Sequence, residues 1–307
     1  MKIAVGVDIG GSHISSAAVN METLKIIPGT HFNGYINSKA SKEIIFEGWA
    51  HIINKTLKML KNKDILGIGM AMPGPFEYSK GTAMFQGNDK YEALYKVSVA
   101  NEFPQYLCKG NLSLRFLNDA SSFGLGGALT KNAGNTKRVL AVTLGTGFGA
   151  AFLKDRIPVS NGGSVPEGGC LWDKKFKEGI ADDYFSTRWF LKKHMELTGY
   201  SDIKGVKDLV YENNNSTYKI FDEFAENLSG FMLPYLQKFD PDLLILGGNI
   251  AKSYELFLPA VVQNWRQRDY EITIAVIENS EEIGIIGSSY LFQPEFWKKV
   301  KKELPVL

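Results

Sequence analysis

Cysteine is scarce in this chain: Cys108 and Cys170 are the only two among 307 residues, and no C-x-x-C pair occurs. That excludes a disulfide framework and fits a reducing compartment. Neither sign of charge dominates, since 35 Lys and Arg face 33 Asp and Glu for a formal +2. A near-neutral balance argues against nucleic acid or an anionic membrane surface as partner, while local dipoles can still hold a small anion. No apolar run approaches the ~18 residues that a membrane span needs. The opening MKIAVGVDIGG has one lysine and reaches Asp8 too early for a signal peptide, so a cytoplasmic protein is expected. Low-complexity tracts and short-period repeats are missing as well. What remains, 44% apolar and 22% charged residues, is the composition of a soluble globular protein long enough for two domains.

Glycine, in contrast, is placed with a pattern. In "VTLGTGFGAAFLKD", residues 142–155, an apolar run breaks at Gly145, Gly147 and Gly149 and then resumes. A dinucleotide-binding turn must open a helix, but Pro158, Gly162 and Gly163 follow so closely that only a strand fits. The same prolines and glycines discount Glu167 as a ribose carboxylate. The segment reads as strand, turn, strand. Such a turn can gather backbone N–H groups around a phosphate, or it can be an ordinary hairpin turn. Residues 2–20, "KIAVGVDIGGSHISSAAVN", repeat the arrangement around Gly10 and Gly11, which suggests two similar halves.

Between the hairpins, Ile44, Ile45, Trp49, Ile52, Ile53, Leu57 and Leu60 recur at helical spacing. "ILGIGMAM" is a buried strand stopped by Pro73, Gly74 and Pro75, and "LSLRFLND" another, ending at Asn118 and Asp119. "ASSFGLGGAL" suits a tightly packed helix, and "TKNAGNTK" a surface loop. Further on, residues 221–239 carry one apolar helical face, with Pro234 expected to bend or shorten the end. "YENNNST" at 211–217 reads as a polar loop, "LLILGG" and "ITIAVI" as strands, and "IGIIGSSYLF" as a small-residue helix. The basic face of "EFWKKVKKEL" reads as solvated. Strand clusters separated by helices give an α/β class.

"VDIGGSH" at 7–13, "GMAMPGP" at 69–75, "LND" at 117–119, "LGTGFG" at 144–149 and "LLILGGNI" at 243–250 together resemble the ROK sugar kinases in order and spacing. The resemblance covers essentially the whole chain. It implies two actin-like, ribonuclease H-like ATPase lobes around a central cleft, with residues 1–117 plus 288–307 in the N-terminal lobe and 118–287 in the other. It also implies ATP and Mg²⁺ as cofactors and a sugar as substrate. Carried over position by position, Asp8, Gly10, Gly11 and Ser12 form the first phosphate loop, Asp8 standing near the magnesium ion. Gly145, Thr146 and Gly147 form the second, and Gly247 and Gly248 let the backbone approach the adenosine. Asp119 becomes the general base that takes the proton of the attacking hydroxyl. On the residues alone, Asn118 and Asp119 read better as a cap of the following helix; with the other motifs the base is the better reading, and the two roles can coexist. Gly74, Asn88, Asn118, Asp119, Glu167 and Asp182 fall where the family contacts its sugar.

The chain departs from the family pattern at one segment. Where the family reads Glu-x-Gly-His followed by a cysteine-rich zinc loop and a second Glu, this sequence has Glu167, Gly168, Gly169, Cys170 and later Asp182. Cys170 with His13, His31, His51 and His194 scattered along the chain cannot assemble a tetrahedral zinc site, so no structural zinc is expected. Glucose cannot be assumed, because pockets discriminate through such polar contacts. The expected activity is ATP-dependent phosphorylation of a hexose or amino-hexose. The alternative is a sugar-binding regulatory protein that retains the fold without efficient turnover. The repressor branch of the family needs an N-terminal DNA-binding extension, and the first phosphate strand already starts at Ile3. An actin-like or chaperone-like ATPase is disfavoured by "LND" and the Glu167 segment. A homodimer is expected from the family, and residues from about 288 onward should fold back onto the N-terminal lobe.

Overall fold

A computed structural model of the chain describes residues 1–61, 63–87, 90–130 and 136–304. Two compact units emerge, Met1–Gly134 with Glu281–Leu307, and Asn135–Ser280. Among the described residues no helix is long and apolar enough to cross a membrane.

The first unit opens with β1 (Ile3–Ile9), β2 (His13–Asn20), β3 (Lys25–Ile26) and β4 (Phe32–Tyr35), followed by helix α1 (Lys42–Met59) and β5 (Ile65–Met72). A two-stranded ribbon, β6 (Phe76–Glu77) and β7 (Thr82–Ala83), precedes α2 (Val99–Glu102), β8 (Leu114–Asn118) and α3 (Asp119–Thr130). The main sheet runs β3-β2-β1-β5-β8, with β4 also on β2. β1 pairs antiparallel with β2 across the first glycine turn, and β5 and β8 are parallel to β1. β1 is apolar and buried almost throughout, as a strand covered on both faces must be. α1 buries Ile45, Trp49, Ile52, Ile53 and Leu57 at the expected spacing, and the Thr56 hydroxyl reaches the Ser16 and Thr30 carbonyls, both at 3.1 Å.

The second unit repeats this plan. β9 (Arg138–Leu144), β10 (Phe148–Lys154) and β11 (Ile157–Pro158) form an antiparallel meander; a small ribbon, β12 (Lys175–Phe176) and β13 (Gly179–Ile180), leads into α4 (Ala181–Phe185), α5 (Thr187–Thr198), α6 (Val206–Glu212) and α7 (Asn215–Phe239). Then come β14 (Leu243–Gly247), α8 (Leu258–Arg266) and β15 (Thr273–Val276). Its sheet runs β11-β10-β9-β14-β15, the same path as in the first unit, with β14 and β15 again parallel. The two similar halves expected from the glycine hairpins are present as this shared strand order. Phe148, Phe185, Phe190, Phe224 and Phe231 interlock in the core, with ring centroids 4.8–6.0 Å apart. Each such ring contributes roughly 1.5–3 kcal/mol by burial.

Two sequence expectations are corrected here. α7 continues past Pro234 to Phe239, so the proline does not shorten it. Leu233 and Leu236 on either side are buried, and that burial offsets the ~3 kcal/mol an internal proline costs. The polar 211–217 stretch is mostly helical, because Asn214 caps α7 by accepting the Thr217 N–H at 2.9 Å.

The chain returns to the first unit with α9 (Ser280–Ser289) and α10 (Pro294–Val300). α9 lies so close to β1 and α3 that a Cβ on Gly6 would strike the Ile285 carbonyl and one on Gly126 the Ile283 carbonyl. Arg115 of β8 is sandwiched between Phe292 at 4.5 Å and Trp297 at 4.3 Å and donates to the Leu291 carbonyl at 2.6 Å, which holds the C-terminal segment on the sheet. The division therefore differs from the expected borders at 117/118 and 287/288. α3, with Asp119, and all of α9 beyond Ser280 belong to the first unit, because glycine contacts weld these two helices together.

Candidate active site

Because β1, β5 and β8 are parallel, their carboxyl ends meet at one edge of the first sheet. Register pairs Asp8 with Ala71 and Met72 with Asn118, so Asp8, the 73–75 turn, Asn118 and Asp119 arrive at that edge together. This is where α/β sheets place ligands. The first turn of α9 reaches the same place. A Cβ on Gly284 would stand 3.5 Å from Asp8 Cγ, and Glu281 Oε2 accepts the Ser15 hydroxyl at 2.8 Å.

Two carboxylates thus bear on Asp8. Burial, then the charges of Asp119 and Glu281, push Asp8 up to about 8. Asp119 is also held above the usual carboxylate range, chiefly by burial, against opposition from the Ala120 N–H, the Lys90 charge and the Asn118 amide. Asp119 Oδ1 accepts the Ala120 N–H at 2.8 Å and Asn118 Nδ2 at 2.9 Å. Asn118 Oδ1 accepts the Ser121 N–H at 3.1 Å. Capping of α3 and presentation of the carboxyl group therefore coexist. Tyr78 was not foreseen from sequence: its hydroxyl donates to the Met72 carbonyl at 3.1 Å and accepts from Asn118 Nδ2 at 3.2 Å, while a Cβ on Gly74 would lie 3.6 Å from it.

The turn after β1 is tied down from outside. Gly10 N–H bonds the His13 carbonyl at 2.9 Å, and its own carbonyl accepts the Tyr91 hydroxyl at 2.6 Å. Ser12 is exposed and its hydroxyl lies 2.9 Å from His13 Nδ1. Asn88 lies outside the described residues.

In the second unit, Thr146 and Gly147 form the exposed tip between β9 and β10, closed by Gly145 N–H to the Gly147 carbonyl at 3.1 Å. Thr187 holds the Gly145 carbonyl with its N–H at 2.8 Å and its hydroxyl at 2.9 Å. Gly248 adopts φ +91°, and a side chain there would meet the Leu144 carbonyl; its N–H donates to Ser280 Oγ at 2.7 Å. The adjoining Asn249 nitrogen would be 3.9 Å from a Cβ on Gly145, so the 247–249 segment flanks the second glycine turn.

Asp182, expected to contact the sugar, engages the second glycine turn and Arg188 through its two carboxylate oxygens. Oδ1 accepts the Phe148 N–H and Oδ2 pairs with Arg188, both at 2.6 Å. Its carboxylate braces the second glycine turn, because α4 starts directly beneath that hairpin. Glu167 sits exposed in a short 3₁₀ turn, and Lys174 Nζ reaches its carbonyl at 3.1 Å. Cys170 donates to Asp173 at 3.6 Å, and burial, with the Asp173 charge, pushes its thiol up to about 11. Among the described residues the only His, Cys, Asp or Glu trio close enough to share an ion is His194, Asp202 and Glu212. Asp202 lies 3.0 Å from His194 Nε2 and Glu212 3.7 Å from Nδ1, so the carboxylates flank opposite ring nitrogens and clamp the imidazole rather than converge on one point.

A model of the ROK family matches residues 4–295. The chain belongs to this family. Its ROK relatives include the N-acetyl-D-glucosamine kinase of Haemophilus influenzae strain 86-028NP, 24% identical over 94% of this chain and 98% of that protein. The glucokinase of Thermotoga maritima is 23% identical over 94% of this chain and 96% of the relative. A xylose repressor of Caldicellulosiruptor bescii is 24% identical over 92% of this chain and 76% of its own length. Among solved structures, a ROK glucokinase from Streptomyces griseus in complex with glucose and AMPPNP superposes with a TM-score of 0.76 at 17% identity, covering 95% of this chain and 99% of that one. The fold is that of the actin-like ATPases, as the motif order implied.

Proposed function

We propose that this ROK protein is an ATP-dependent sugar kinase that transfers the γ-phosphoryl group of MgATP to a hydroxyl of a hexose or amino-hexose. The observation that carries the reading is the placement of Asp119. A strand end delivers a desolvated carboxyl group, oriented through Oδ1 by Asn118 and Ala120, beside the first glycine turn. Oδ2 is then the oxygen that takes the hydroxyl proton. A base lifted toward neutral pH is better matched to that task than one at an ordinary carboxylate value.

Asp8, with the charge of Asp119 bearing on it, fits a hard divalent cation, because burial leaves its carboxylate short of positive charge. When bound, Mg²⁺ would neutralise charge on the β- and γ-phosphates. Asp8 would hold it, directly or through water. Gly10, Gly11 and Ser12 would supply backbone N–H and hydroxyl donors to phosphate, as would Gly145, Thr146 and Gly147. Gly247 and Gly248 would accept the adenosine against bare backbone. Gly74, Asn118 and Glu167 remain the sugar-facing set, with Asn88 proposed on resemblance alone, and Asp182 is read as the brace of the second phosphate loop.

ADP release measured over a panel of hexoses, N-acetylhexosamines and ketoses tests the reading. Sugar-dependent release that vanishes in Asp119→Asn is the expected result. Tight sugar binding with no release from any sugar would instead support the regulatory reading, which the likeness to a xylose repressor keeps in play.

A further inference from the structure

The side chain of Lys90 crosses the first glycine turn. A Cβ on Gly11 would stand 2.9 Å from Lys90 Cε, 3.0 Å from Cδ and 3.1 Å from Nζ, so the bare glycine is what leaves the lysine its path. The next residue fixes the backbone from which this side chain springs. Tyr91 is fully buried, its ring packs edge-on against Trp49 with centroids 5.5 Å apart, and its hydroxyl bonds the Gly10 carbonyl at 2.6 Å. Residues 90 and 91 are thereby attached to Gly10 and Gly11. The ammonium group also bears electrostatically on Asp119 at the end of β8. Asp119 in turn bears on Asp8, as does Glu281, and carboxylates at this strand edge would repel an incoming phosphoryl group unless a cation offset them.

We propose that Lys90 is a catalytic residue whose ammonium, laid over Gly11, contacts the terminal phosphoryl group of the nucleoside triphosphate. The inference rests on the kinase reading above and adds to it a cation that the motif pattern does not contain. A lysine suits the position, since it is a compact point charge on a flexible stem that can follow the phosphoryl group as charge shifts during transfer. The γ-phosphoryl, absent from the diphosphate, is the group it distinguishes.

The test uses the full chain with Mg²⁺ present and compares wild type with Lys90→Met and Lys90→Arg, after thermal melts have shown that all three fold. Calorimetry gives the ratio of AMPPNP to ADP affinity, and the sugar-panel assay gives kcat. Lys90→Met is expected to reduce the AMPPNP preference at least about fivefold and kcat about 10²-fold, the order seen when one donor to a developing charge is removed. Sugar KM should stay within about threefold, and Lys90→Arg should recover part of both losses. A Met variant with the wild-type nucleotide preference and kcat overturns the inference while leaving the kinase reading intact. If wild type releases no ADP with any sugar, yet Lys90→Met still loses its AMPPNP preference, the kinase reading fails and the Lys90 contact stands.

Discussion

Replacing Asp8 by Asn should stabilise the metal-free protein, and by an amount that depends on pH. In the folded chain the Asp8 carboxyl is raised from 3.8 to about 8 by burial and by Asp119 and Glu281. Between those two values the native state keeps a proton that the unfolded chain has lost. Native stability therefore falls as pH rises through this window and levels off above about 8. Each pKa unit corresponds to about 1.36 kcal/mol, so a shift of about four units sets a ceiling of about 5 kcal/mol. Relaxation around a buried charge should leave about 2–3 kcal/mol of it. Asn has the same shape and does not titrate. The stability difference between Asp8→Asn and wild type should thus be small near pH 4, grow through neutral pH and become constant above about 8. Urea unfolding in chelator across pH 4.5 to 9 measures it directly. Adding Mg²⁺ at pH 8 should stabilise wild type but not the variant, because only the carboxylate gives the cation an anionic ligand. A difference that stays flat with pH would refute the claim that Asp8 is strained by its surroundings.

Other substitutions probe other parts of the site. Asp119→Asn should lower kcat by about 10²–10⁴-fold with nucleotide affinity nearly unchanged, checked by steady-state kinetics and calorimetry together. Gly126→Ala would drive a methyl group into the Ile283 carbonyl of α9, and a loss of about 1–3 kcal/mol in urea denaturation is expected. Asp182→Ala frees the Phe148 N–H and unpairs Arg188. Its main effect should be a several-fold rise in the KM for ATP, with the KM for sugar moving less; the reverse pattern would return Asp182 to the sugar.

Local pattern alone made much of this protein legible. Both glycine hairpins, the α/β class, α1 with its Trp49 face, and the strand ends carrying Asp8 and Asp119 follow from alternation and spacing that neighbouring residues impose on one another. The repeated hairpin even announced the shared strand order of the two units. Tertiary structure decided what those patterns could not carry. Glu281 and Gly284 come to Asp8, and Lys90 and Tyr91 to the 10–11 turn, from segments distant in the chain. α3 joins the first unit rather than the second because its glycines admit α9 at backbone contact, a fit that depends on two helices meeting. The bonds from Asp182 to the Phe148 N–H and to Arg188 exist only because α4 packs on β10. Periodicity is a property of adjacent residues, whereas burial and the distance between charges exist only after the chain has closed on itself.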